Sequence, residues 1–111
     1  MNTKLYLVFL FWLFACVIPS TAQAVILIAP TDCGNWVKDR KDNGWFTRAN
    51  QANLLGYLSG LAMARNKDFL RNTSNQSLFL WIDKYCQDNP LSNVYEGGLE
   101  LSYVLQEKVD R

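Results

Sequence analysis

Two widely separated cysteines, Cys33 and Cys86, constrain what this chain can fold into more than any other feature of the sequence. The third, Cys16, lies in an apolar run over residues 5–18 that follows Lys4 and ends at Pro19. Ala22-Gln23-Ala24 comes next, so residues 1–24 read as a secretory signal peptide cleaved before Val25. The run is too short to span a bilayer comfortably. A second processing pattern, Leu13-Phe14-Ala15-Cys16, resembles a lipoprotein box; lipid anchoring at Cys16 stands as the alternative, although bulky Phe14 fits it poorly. Cleavage before Val25 leaves Cys33 and Cys86 as the remaining thiols. An exported chain with an even cysteine count most simply joins them in one disulfide. In the loop-closure model such a bridge is worth about 4 kcal/mol, a large share of the stability of one small domain. A metal or redox role is weak, because no C-x-x-C spacing and no histidine occur.

Hydrophobic periodicity predicts helices on both sides of the bridge. Over residues 48–65, Leu54, Leu55, Tyr57, Leu58, Leu61 and Ala62 recur at three- and four-residue steps. Gly56 and Gly60 lie four apart on that helix, a costly choice that suggests the close approach of another helix backbone. Residues 66–76 are polar and rich in Asn, Ser and Thr, so they read as a connection, with Ser74 or Asn75 capping the next helix. Leu78, Trp81, Ile82, Tyr85 and Cys86 then fall on one helical face. Asn89 suits an N-cap and Pro90 a first helical position, which predicts a last helix over residues 90–109. Leu91, Val94, Tyr95, Leu101, Val104 and Leu105 would face inward on it, with Gly97-Gly98 at another close approach. A shorter helix including residues 35–40 would be led by Asp32, anchored by Trp36 and Val37, and ended by Asp42-Asn43-Gly44. Trp45 and Phe46 read as core residues. Residues 25–29 form an apolar pentad with no assigned packing. No strand pair stands out, and the fold class expected is a small all-α domain of one short and three longer helices stapled by one disulfide.

Charge and missing motifs narrow the function. The formal net charge is +1, and loss of Lys4 with the signal peptide would bring it to zero. That balance argues against nucleic acid or an anionic membrane as partner. Without histidine there is no Ser-His or Cys-His pair, and neither a phosphate-cradling loop nor a dinucleotide fingerprint is present. Carboxylate-only hydrolysis would leave Glu96 and Glu100, four apart, as the one nameable pair; adjacent carboxylates on an exposed helix are usually just solvated. Binding is favoured over catalysis.

Three blocks carry a resemblance. Cys33-Gly34-Asn35-Trp36-Val37, then Leu55-Gly56-Tyr57-Leu58-Ser59-Gly60, then Leu80-Trp81-Ile82-Asp83-Lys84-Tyr85-Cys86 followed by Asn89-Pro90-Leu91, resemble the Rap/Tai-type immunity proteins of type VI secretion. The similarity runs over nearly all of residues 25–111. It implies a periplasmic, helical, often homodimeric protein that binds and blocks a peptidoglycan amidase effector, with no cofactor. The residues of the blocks, Trp36, Gly56, Tyr57, Gly60, Trp81, Asp83, Tyr85, Asn89 and Pro90, read as structural. An inhibitor also needs exposed, partner-specific side chains on a rigid scaffold. The candidates are Asp68, Phe69, Arg71 and Asn72, which combine charge, an apolar anchor and an amide in one loop; the alternative reading tucks Phe69 and Leu70 into the core and leaves the rest solvated. A second reading, a small disulfide-stapled periplasmic acid-stress chaperone, would require acid-triggered exposure of apolar surface.

Overall fold

The structure, a computed structural model, describes residues 2–5 and 31–111. Four helices form an all-α domain in the second stretch: α1 (Cys33–Asp42), α2 (Trp45–Arg65), α3 (Asn75–Asp88) and α4 (Val94–Asp110). One short and three longer helices are what the periodicity predicts. No strand occurs among the described residues, only an isolated bridge between Asp32 and Asn93. The apolar pentad and nearly all of the signal-peptide reading lie outside the described residues. Among the described residues, no helix is long and apolar enough to cross a membrane.

Local chemistry sets most helix ends. The Asp32 carboxylate accepts the Asn35 N–H at 2.8 Å and so caps α1. α1 stops at Asn43 and α2 at Asn66, with φ of 48° and 50°, left-handed conformations that asparagine tolerates better than most residues. Ser74, rather than Asn75, caps α3 by accepting the Ser77 N–H at 3.1 Å.

The corner between α3 and α4 departs from expectation. Asn89 closes α3 instead of opening α4: its backbone N–H donates to Tyr85 O at 2.8 Å, and its side-chain amide donates to the same carbonyl at 3.0 Å. Pro90 and Leu91 lie in the following turn, where Leu91 is fully exposed rather than inward. α4 is capped by Asn93, whose side chain accepts the N–H groups of Tyr95 and Glu96 at 3.0 Å each. The cause is tertiary. Cys33 N–H donates to Ser92 O at 3.0 Å and Val94 N–H donates to Thr31 O at 2.9 Å, which holds Asn93 extended and delays the helix.

Where the helices meet, Trp36, Leu54, Leu58, Leu78, Phe79, Ile82, Val94, Leu101 and Leu105 are buried, together with Cys33 and Cys86. The two cysteines form the expected disulfide, with their Cα atoms 4.8 Å apart. α1 and α3 pack in opposite senses, Cys33 meeting Cys86 and Trp36 meeting Asp83. α2 and α4 run in the same sense, since Tyr57 meets Tyr95 and, further along both, Arg65 meets Ser102 and Gln106. Trp81 and Tyr85 are only half-buried and stack on each other, with centroids 5.7 Å apart.

Three expectations about packing fail. Trp45 and Phe46 are 75% and 69% exposed, not core; the residue this turn of α2 points inward is Thr47, whose hydroxyl donates to Asp39 O. Val104 is also largely exposed. The glycines divide. A Cβ on Gly97 would lie 2.6 Å from the Tyr85 ring and one on Gly98 would lie 3.1 Å from Tyr57, so a close approach does occur there. Nothing lies within 4 Å of a Cβ placed on Gly56 or Gly60, and the helix expected against them is absent within the described residues. α2 meets α4 through Leu54, Tyr57 and Arg65, which leaves those two glycines on its outer side.

Candidate functional site

The connection over residues 66–74 is a set of tight turns. Lys67 N–H donates back to Ala62 O at 3.0 Å and Thr73 N–H to Leu70 O at 3.2 Å. Its hub is Phe69. That side chain is 1% exposed and lies under the Arg65 guanidinium, 5.9 Å from the ring centroid. The sequence candidate Phe69 is therefore an anchor that holds the loop, not an exposed contact. Full burial of a phenylalanine is worth about 1.5–3 kcal/mol, more than the surrounding polar residues can offer for keeping it out. Asp68, Arg71 and Asn72 stand on the outer rim, all exposed. Arg71 Nε donates to Asp68 Oδ2 at 3.0 Å, and Asn72 adopts φ of 59°. An ion pair so open contributes little to stability, so these side chains remain available to a partner.

Asp83 joins α1 to α3. It accepts the Trp36 Nε1–H at 2.7 Å and takes the Arg40 guanidinium in a fork, Nε to Oδ1 at 2.9 Å and Nη2 to Oδ2 at 2.8 Å. Hydrogen bonding to Asp83 raises the Arg40 pKa, against an opposing effect of burial. Both charges are about three-quarters buried, so removing either would strand the other. The motif residues Trp36 and Asp83 thus build scaffold. Tyr85 does likewise, with its ring on Gly97 and its hydroxyl 2.8 Å from Ser92 Oγ.

A third cluster lines the seam between α2 and α4. The rings of Tyr57 and Tyr95 meet edge-on, 4.8 Å between centroids. Arg65 lays its guanidinium over Tyr103, 4.4 Å from the ring centroid. Its Nη1 donates to Ser102 Oγ at 2.9 Å and Gln106 Oε1 at 3.4 Å, and Ser102, fully buried, donates on to Leu99 O at 2.6 Å. Burial pushes the Tyr57 hydroxyl above its usual pKa; Arg65 pulls it down, while Tyr103 and Tyr95 add to the rise. Of this cluster only Tyr57 falls in one of the three blocks. The cluster's signal in the sequence is spacing, since Tyr57, Leu61 and Arg65 step by four along α2, as Tyr95, Leu99 and Tyr103 do along α4.

Glu96 and Glu100 are both exposed, and Glu96 accepts a hydrogen bond from Ser92 Oγ beside the start of α4. That contact ties Glu96 to the turn that precedes α4. Among the described residues, no cluster of Asp, Glu or Cys is arranged to hold a metal ion. Comparisons with protein-family models, curated proteins and solved structures find no match to this chain.

Proposed function

We propose that the chain is a periplasmic immunity protein that binds and blocks a peptidoglycan amidase effector of type VI secretion. The observation that carries this reading is the 66–74 loop, an ordered set of turns with Phe69 locked underneath and Asp68, Arg71 and Asn72 exposed. A loop ordered before binding loses less entropy on contact, which suits an inhibitor that must fill a cleft. The three blocks that carry the resemblance support it from the other side. Trp36, Asp83, Tyr85 and the Cys33–Cys86 bridge hold helices together, and the exposed loop residues Asp68, Arg71 and Asn72 lie outside the blocks.

The test is to present the oxidised, exported protein to a panel of purified peptidoglycan amidases while recording binding and residual activity together. The expected result is one protomer per amidase, affinity on the order of nanomolar, and lost activity. The double variant Asp68→Ala/Arg71→Ala should weaken that binding at least about tenfold. Phe69→Ala would test loop order, not contact. Unchanged amidase activity across the panel would sink the reading.

A further inference from the structure

The two part-buried arginines that bridge helices in this domain are built alike and finished differently. Arg40 gives its Nε and Nη2 donors, the side-on fork that matches a carboxylate, to Asp83. Arg65 spends only Nη1, on the neutral oxygens of Ser102 and Gln106. No carboxylate among the described residues lies within ion-pair distance of it. Its Nε and Nη2 have no acceptor there either. Since no side-chain nitrogen or oxygen of a non-exposed described residue is both buried and unpaired, this fork reaches solvent. Tyr103 beneath and Ser102 behind fix its direction.

We propose that the seam between α2 and α4 is a second protein-binding surface, on which Arg65 receives an Asp or Glu side chain of a partner through its Nε and Nη2. Beneath the fork lies Tyr103, 58% exposed, and the edge-on pair of Tyr57 and Tyr95 lies further back along the same seam. An arginine stacked on a tyrosine has the composition of an interface centre, where water is excluded and a charge pair gains strength. The charge calls for an anion, and the planar fork fits a carboxylate bidentately. A lone cation among aromatics is unlike the run of several lysines and arginines that attracts an anionic lipid surface. The surface adjoins the 66–74 loop, since Phe69 lies under the same guanidinium, but its fork is distinct from the exposed rim of Asp68, Arg71 and Asn72, and the inference holds whether or not that rim touches an amidase.

The experiment is an NMR titration of the isotopically labelled, oxidised, exported protein with the capped peptide Gly-Leu-Glu-Leu-Gly and its Gln counterpart, following the Arg65 Nε–H resonance. A saturable shift at Arg65 with the Glu peptide, at least about fivefold weaker with the Gln peptide, is expected. Arg65→Lys keeps the charge but not the fork, and should lose that preference with little change in melting temperature. Arg71→Ala should leave it intact, which separates this surface from the loop. Equal response to both peptides, retained preference in Arg65→Lys, or a response centred on Arg71 would overturn the proposal. So would binding of phosphatidylglycerol vesicles at this seam without any response to the Glu peptide.

Discussion

Arg40 and Arg65 each bridge two helices, and the contrast between them separates what holds this domain together from what it offers outward. Arg40 sits between α1 and α3 with its fork closed by Asp83, which also takes the Trp36 indole N–H. Arg65 sits between α2 and α4, held by stacking and neutral hydrogen bonds, with its fork open. A closed pair resists change because losing one member strands a charge. An open one loses only modest contacts. The same residue type thus serves cohesion on one side of the domain and recognition on the other, and the difference lies in whether the opposing helix supplies a carboxylate.

The largest effect should come from the covalent tie on the closed side. Reducing Cys33–Cys86 is expected to cost about 4 kcal/mol, lowering the melting temperature by roughly 15 °C or more. Matching melts with and without reductant would show that the bridge does not carry the α1–α3 side. Next, Asp83→Asn should cost about 2–3 kcal/mol, whereas Arg65→Gln should cost no more than about 1 kcal/mol, both read by urea unfolding. Equal losses would break the comparison outright. The smallest pair sharpens it with opposite signs. Gly97→Ala drives a methyl into the Tyr85 ring and should destabilise by about 1–3 kcal/mol, while Gly60→Ala, with open space around it, should stabilise by up to about 1 kcal/mol.

The sequence revealed the scaffold more readily than the surface. The apolar steps through Leu54, Leu58, Leu78 and Ile82 and the caps at Asp32 and Ser74 are local signals, and local physics decided them. Asn89 and Asn93 are both good caps four residues apart, and what chose between them was the Val94 N–H bond to Thr31 O and the Cys33 N–H bond to Ser92 O, contacts between segments distant in sequence. Gly56 and Gly60 announce low helix propensity, which says nothing about whether a neighbour is present. Phe69 stands in a polar segment, so its burial depended on space beneath Arg65 that no pattern in the loop encodes. Asp68, Arg71 and Asn72 were legible as exposed polar residues of a turn-rich loop. Arg65 was not, because its meaning rests on the absence of a partner carboxylate across a helix seam.

The disulfide encloses α1, α2, the 66–74 loop and most of α3 in one covalent ring, and α4 lies outside it. In the oxidised protein α4 is therefore the one long helix that can peel away without stretching the ring, taking Leu101 and Leu105 from their places against the core. Amide protons of α4 should exchange with deuterium sooner than those of α3 for that reason, and a protease acting on the native protein should find its first cut there. Whatever binds the α2–α4 seam would latch this free flap shut, so that recognition and resistance to degradation become the same event.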